Sequence, residues 1–112
     1  MRNKLSDHEK HLIQKFKKNP QNAVDYLNVC LEDSDPRVFL LALQDVAKAF
    51  GGMTRLARKT GISREHLYTT LSENGNPAFS NLSMVLSALD FKIEIKPKKK
   101  VQLRRKIKRP AA

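Results

Sequence analysis

The sequence predicts an all-α fold that ends in one short strand and a basic tail. Apolar residues recur three and four positions apart through residues 23–31 and 36–50, which is helical spacing. Residues 91–96 instead alternate apolar and charged side chains, the pattern of a β-strand. The chain is therefore divided into an N-terminal helical extension over residues 1–21, a helical domain over residues 22–96 and a flexible basic tail over residues 97–112.

Two helix starts carry strong local signals. Ser6 and Glu9 have the spacing of a capping box, in which each side chain accepts a hydrogen bond from the backbone of the other residue. Asp35 followed by Pro36 starts the helix that is predicted to be best buried, and the glycine pair at 51–52 ends it. The first helix has only a narrow apolar stripe, so we expect it to dock loosely on the rest of the fold.

Composition excludes several classes of protein. The 112 residues allow one modest core, and they contain neither an apolar run of bilayer length nor a signal-peptide pattern, so we expect a cytoplasmic protein. Cys30 is the only cysteine, which rules out a disulfide framework and suits a small buried apolar residue. His8 and His11 lack a third metal ligand. No catalytic grouping or phosphate-cradling loop is present, so we expect no enzyme, no metal and no cofactor.

Residues 54–72 predict a helix, a tight turn and a second helix. Gly61 lies where the chain must turn sharply, and Ile62 fills the angle between the two helices. Thr54 and Ser63 are the predicted N-caps. The apolar contacts between the helices are expected from Leu56, Ala57, Leu67 and Leu71.

The second helix of this motif is predicted to present a polar face to a DNA major groove. Arg64, Glu65, Tyr68 and Thr69 offer hydrogen-bond donors, an acceptor for cytosine N4 and groups that can meet a thymine methyl. Thr54, Arg55 and Ser63 near helix N-termini are predicted to contact phosphates. The further predicted phosphate contacts are Arg58, Lys59, Ser72 and Asn74. The alternative is an ordinary surface hairpin without a ligand.

The C-terminal segment carries most of the net charge of +11, because residues 96–112 hold nine Lys or Arg and no acidic residue. Such a block fits a polyanion, although charge alone does not separate DNA from RNA. A solvated terminus and an acidic protein surface are the alternatives. The predicted nucleic-acid contacts in the tail are Lys98, Lys99, Lys100, Arg104, Arg105 and Lys106.

The predicted strand would leave its backbone groups unpaired within one chain. Phe91, Ile93 and Ile95 share one side of it. A lone strand favours pairing with a second copy or with another protein. The sequence therefore predicts a homodimer or a partner contact here.

Several short stretches together resemble a known family. They are Tyr-Leu-Asn at 26–28, Asp-Pro at 35–36, Leu-Ala-Arg at 56–58, Gly-Ile-Ser-Arg-Glu at 61–65, Leu-Tyr at 67–68, Leu-Ser at 71–72 and Gly-Asn-Pro at 75–77. On these, the chain from Ala23 to Ile95 resembles the lambda-repressor-like helix-turn-helix class, and more closely the HigA-like addiction-module antidote (antitoxin) family. The first 20 residues, Asp90 in place of a glycine, and the basic tail depart from the family pattern.

The resemblance implies a five-helix domain, usually dimeric, that binds double-stranded DNA, represses its own operon and neutralises a RelE/ParE-like toxin, typically a small ribonuclease. Our leading hypothesis is a homodimeric transcriptional regulator of antitoxin type. The alternatives are an orphan prophage-type regulator without a toxin, an RNA binder that uses the tail, and a protein-interaction module that sequesters a toxin through its strand or N-terminal helices.

Overall fold

Six helices follow one another in the computed structural model, which describes residues 6–72 and 74–98. They are α1 (Asp7–Lys18), α2 (Gln21–Leu31), α3 (Pro36–Ala49), α4 (Gly52–Thr60), α5 (Arg64–Thr70) and α6 (Phe79–Ala88). The expected helical architecture is confirmed over these residues. None of the described helices is long and apolar enough to cross a membrane.

The central helix is α3, which packs against α1, α2 and α4. Its start is built as the sequence predicts, because Asp35 Oδ1 accepts a hydrogen bond from the Arg37 N–H at 3.0 Å and Pro36 occupies the first turn. Leu43 and Val46 are fully buried, and α4 in turn packs against α5 and α6. The single apolar core therefore connects α1 with the helices that follow.

The N-terminal helix α1 is part of this core. The predicted capping box is confirmed, because the Ser6 N–H donates to Glu9 Oε1 at 3.0 Å and the Glu9 N–H donates to Ser6 Oγ at 3.1 Å. Leu12 and Phe16 are buried, and the Phe16 ring centroid lies 5.3 Å from that of Tyr26. The expectation of loose docking was wrong, since one large aromatic side chain inserted into the core makes up for the narrow stripe.

A polar cluster of Tyr26, Cys30 and Asp45 lies between α2 and α3. The Tyr26 hydroxyl donates to Asp45 Oδ2 at 3.0 Å. Burial raises the pKa of Asp45, opposed by the Tyr26 hydrogen bond and by Lys48. Burial, followed by the charges of Asp45 and Asp33, raises the pKa of the Cys30 thiol. Cys30 is only half-buried, so its expected role as a buried apolar residue holds in part.

The ion pair between α1 and α3 predicts a stability that depends on pH. Glu9 Oε2 lies 3.0 Å from Lys48 Nζ, and the hydrogen bond from the Ser6 backbone together with Lys48 holds the pKa of Glu9 below its ordinary value. Glu9→Gln should lower the free energy of unfolding by about 1 kcal/mol at neutral pH, because it weakens both the cap and the pair. A carboxylate with a lowered folded-state pKa stabilises the fold above its unfolded-state pKa. The difference from wild type should therefore shrink as the pH falls through the folded-state pKa.

Urea unfolding at neutral pH and at about pH 3 measures this difference. Asp7→Asn is the matched control, since Asp7 is a first-turn acid that takes part in neither contact. A difference between Glu9→Gln and wild type that stays constant with pH would contradict the prediction.

The prediction of a strand over residues 91–96 was wrong, since these residues form no strand in the part of the chain that the structure describes. A strand needs a second strand for its ladder of hydrogen bonds, and no other described segment supplies one. The alternation also fails: Phe91 packs against Phe50 with ring centroids 6.1 Å apart, whereas Ile93 is 44% exposed and Ile95 93% exposed. The dimer contact predicted for Phe91, Ile93 and Ile95 requires a second copy and stays a prediction.

The chain leaves α6 through Asp90, which has a positive φ of 69°. This left-handed conformation lets the Phe91 N–H donate to the Leu86 carbonyl at 2.9 Å. Glycine adopts such a φ without strain and Asp tolerates it better than most residues. A glycine, the residue expected here from the family resemblance, would suit the same geometry.

Candidate nucleic-acid interface

The turn between α4 and α5 is fixed by its own hydrogen bonds. Gly61 has a φ of 78°, and its N–H donates to the Ala57 carbonyl at 2.9 Å. The Thr60 hydroxyl donates to the Leu56 carbonyl at 2.9 Å and accepts from the Ile62 N–H at 3.2 Å. The Thr60 side chain thus satisfies backbone groups on both sides of the point where α4 ends. The two short helices are held at a defined angle.

The two helix starts differ in how well the sequence predicted them. Ser63 is the N-cap of α5 as expected, because its Oγ accepts from the His66 N–H at 3.1 Å. Thr54 was wrongly predicted as the N-cap of α4, which begins at Gly52. The glycine pair has φ angles of 108° and 89°, so the chain reverses direction there and leaves Thr54 in the first turn.

The inner side of α5 is anchored in the core. Leu67 and Leu71 are buried. Gln44 of α3 reaches the end of the helix, where its Nε2 donates to the Leu71 carbonyl at 2.9 Å. This bond satisfies one of the carbonyls that every helix leaves without a partner at its C-terminus. α5 is therefore held by its buried side chains in the core, by its packing against α4 and by a directional contact from α3.

The outer side of α5 carries the residues predicted to read bases. Arg64, Glu65 and Thr69 are exposed there, next to exposed His66. Tyr68 is half-buried, and the Arg64 guanidinium lies 5.3 Å from its ring centroid, within cation–π range. The structure thus brings three of the four predicted residues together on the surface and places Tyr68 at the edge, where it supports Arg64.

The predicted phosphate contacts fall into two groups. Arg55 and Arg58 are exposed, and within residues 6–72 and 74–98 no carboxylate pairs with them or with Arg64. Two of the other predicted contacts already hold intramolecular bonds: Lys59 Nζ donates to the Ala88 carbonyl at 3.2 Å, and the Ser72 hydroxyl donates to the Thr69 carbonyl at 2.7 Å. The free cations on this face are therefore arginines.

The remaining predicted contacts are spread over the surface and the tail. Thr54 and Asn74 are exposed, and the Asn74 N–H donates to Ser72 Oγ at 3.3 Å. Lys98 is exposed. The other predicted tail contacts lie outside the described residues: Lys99, Lys100, Arg104, Arg105 and Lys106.

The loop after α5 depends on Gly75. Its N–H donates to the Ser72 carbonyl at 2.9 Å, and a Cβ at this position would collide with the Thr70 carbonyl group. Because that obstacle is backbone at the end of a helix, Gly75→Ala should destabilise the fold by about 1–3 kcal/mol and disturb the end of α5. Chemical denaturation measures the loss. Asn76→Ala, at an exposed position in the same loop, is the control, and equal stability of the two variants would contradict the prediction.

Two residues that shape this interface were missed by the sequence reasoning. Gln44 lies 27 positions from Leu71, and no local pattern joins the two. Thr60 carries a weak signal, since a threonine before a glycine can bond to the preceding turn of its helix. Both act on backbone groups, so they set the position of α5 without lying on its outer face.

Residues 8–97 match a family described as probable addiction module antidote protein. The chain belongs to this family. The chain is also 41% identical over 70 residues to an uncharacterized protein of Haemophilus influenzae, a match that covers 62% of the chain and 71% of that protein. No solved structure gives a significant match. Membership supports an antitoxin role in an addiction module and implies a toxin partner of some kind.

Proposed function

We propose that this protein is a sequence-specific DNA-binding transcriptional regulator that represses its own operon. This proposal is supported by the way in which α5 is buried on one side and exposed on the other. Its inner side is anchored by buried Leu67, while Arg64, Glu65 and Thr69 stand exposed on the outside. A rigid helix with a polar outer face has the dimensions and the chemistry for a major groove.

The side chains on this face match the groups that base pairs present. Arg64 can donate two hydrogen bonds to guanine, and Glu65 can accept from cytosine N4. The Thr69 hydroxyl donates to the Glu65 backbone carbonyl at 3.0 Å, so its proton is already used within α5. The Thr69 methyl group is then the part of the side chain that can contact a thymine methyl. Tyr68 completes this base-reading set. We assign Arg55 and Arg58 to phosphates as the main cations, since Lys59 already bonds to α6.

In this proposal the α4–α5 unit is a lambda-repressor-like helix-turn-helix of the HigA type, with Thr54, Ser63, Ser72 and Asn74 near the backbone of the DNA. The protein acts in the cytoplasm as a homodimer, with its two copies reading half-sites about 34–36 Å apart. Its toxin is a RelE/ParE-like ribonuclease. The basic tail, including Lys98, adds affinity that depends on salt.

The test is a titration of the purified full chain against two labelled duplexes. One is taken from the region upstream of the antidote gene and the other is a scrambled duplex of the same composition. We expect binding to the upstream duplex to be tighter by at least about 10³-fold at physiological salt. Equal affinities for the two duplexes would contradict a sequence-specific regulator.

A further inference from the structure

The segment that follows α6 has the course of a β-strand without a partner strand. Residues 91–96, which we name the post-α6 segment, run without a turn or a bend. Lys96 Nζ lies 4.0 Å from Glu94 Oε1, so these two side chains, two positions apart, lie on one side of the segment as they do in a strand. The described part of the chain holds no strand against which the post-α6 segment could pair.

One hydrogen bond shows which backbone edge of the post-α6 segment is free. The Phe91 N–H donates to the Leu86 carbonyl, so it points back at α6. Backbone groups of successive residues in an extended chain point to opposite edges, and those of Lys92 and Glu94 therefore point away from α6. Within residues 6–72 and 74–98, neither of these two residues makes a backbone hydrogen bond. Such an edge is a template for pairing with another chain.

The charges along this edge select one register for pairing with a second copy. An antiparallel pair with two-fold symmetry is centred on a residue that lies opposite itself, because opposing side chains must share one side of both strands. A centre at Lys92, Glu94 or Lys96 would place two like charges directly opposite each other, which is destabilising. A centre at Ile93 instead places Lys92 opposite Glu94 of the second copy, and does so twice in the dimer.

The two other centres within the post-α6 segment fail for different reasons. A centre at Phe91 would place Ile93 opposite Leu89, which is buried at the end of α6. A centre at Ile95 would place Lys92 opposite Lys98, again a pair of like charges. Ile93 is therefore the centre at which the free edge is complementary to itself.

The surroundings of the post-α6 segment also suit a second copy. The segment lines a groove together with α2, and the charged residues of this lining have both signs: Glu32, Asp90, Lys92, Glu94 and Lys96. A surface of mixed charge can complement a copy of itself, whereas a surface of one sign cannot. Ile93 and Ile95 are 44% and 93% exposed in one copy, so this side of the molecule keeps apolar surface for a contact.

We infer that two copies of the protein associate by antiparallel pairing of their post-α6 segments about Ile93. This inference rests on the homodimer of the proposed function and names its interface. Lys92 and Glu94 of the two copies exchange two backbone hydrogen bonds in each of their two pairs. Ile93 lies against Ile93 of the second copy, and Phe91 lies opposite Ile95. The contact uses no residue of the candidate nucleic-acid interface.

Charge reversal tests the register, with the dimer Kd of the full chain measured by analytical ultracentrifugation in the absence of DNA. Lys92→Glu and Glu94→Lys should each raise the Kd by at least about tenfold, because two attractive pairs become repulsive. Both residues are exposed, so neither change should affect the fold. The variant that carries both changes should return to within about threefold of wild type, since the opposing charges attract again.

Lys17→Glu is the matched control for the change in net charge. It lies at an exposed position of α1 and lowers the net charge of +11 by the same amount as Lys92→Glu. General repulsion between copies therefore falls equally in the two variants. The control should change the dimer Kd by less than about twofold, because salt screens a distant surface charge.

A cross-link tests the centre of the pairing in a Cys30→Ser background. In the inferred register the two Ile93 positions form a close pair with Cα atoms about 4.5 Å apart, within reach of a disulfide. Ile93→Cys should therefore give a covalent dimer on oxidation with diamide. Ile95→Cys is the matched control, since its two copies lie about 14 Å apart along the strands at about 3.4 Å per residue. It should run as a monomer on a denaturing gel although its position is the more exposed.

The outcomes separate the interface from the homodimer on which it rests. A dimer that neither single reversal weakens would overturn the pairing and leave the homodimer standing, joined through another surface. Faster cross-linking of Ile95→Cys than of Ile93→Cys would overturn the register. A wild-type chain that stays monomeric at every concentration, alone and on the upstream duplex, would refute the homodimer of the proposed function itself.

Discussion

Arg64→Ala should weaken binding to the upstream duplex by about 1–3 kcal/mol, which is about 5- to 150-fold in Kd. The guanidinium is exposed at the start of α5 and rests 5.3 Å from the Tyr68 ring centroid. That contact holds a long side chain in one region before DNA arrives, so less conformational entropy is lost when a base contact forms. The loss on scrambled DNA should be smaller, since only a charge is removed there.

Arg58→Ala is the matched control for this experiment. Arg58 is an exposed cation of α4 and is assigned to a phosphate. Its removal should weaken binding to both duplexes by the same factor and reduce the slope of log affinity against log salt by about one. If Arg64→Ala lowered the affinity for both duplexes equally, Arg64 would be a phosphate contact and its role as a base reader would be refuted.

Phe16→Ala should cost about 3–5 kcal/mol of unfolding free energy. Phe16 is fully buried between α1 and the core, so its truncation leaves a cavity and removes the packing against Tyr26. Domains of this size are stable by only about 5–15 kcal/mol, so the variant should be close to unfolding at physiological temperature. Thermal and urea unfolding of the purified variant, followed by circular dichroism, measure the loss.

Phe79→Ala removes the same side chain from a position that is 68% exposed and serves as the control. We expect it to change the stability by no more than about 0.5 kcal/mol. Similar stability for the two variants would mean that α1 contributes little to the core. In that case α1 would be loosely docked, as the sequence predicted.

Sequence signals that are local in the chain predicted the structure best. The Ser6 capping box, the Asp35 cap and the Ser63 cap all join groups two or three residues apart, and each forms as expected. The turn at Gly61 follows the same rule, since one residue with a positive φ ends α4. The sequence prediction placed the start of α4 too late, because Gly51 and Gly52 both adopt a positive φ and the helix begins at Gly52. Glycine is compatible with many conformations, so the surrounding structure determines which one it adopts.

Features that depend on distant residues could not be predicted. The alternation of apolar and charged residues over 91–96 indicates only that this segment could pair as a strand. The described part of the chain contains no second strand with which it could pair. The outward placement of Arg64, Glu65 and Thr69 followed from helix geometry alone. The hydrogen bond from Gln44 to the end of α5 could not be predicted in this way. It joins two helices that are distant in the sequence, and no sequence pattern marks a side chain that makes such a bond.

Cys30 bears on how copies of the protein can associate. A thiol is oxidised through its thiolate form, and the raised pKa of Cys30 keeps that form scarce at neutral pH. Since this is the only cysteine of the chain, a covalent cross-link between two copies would have to use it. In the proposed homodimer we therefore expect a reversible equilibrium, in which dilution returns dimers to monomers.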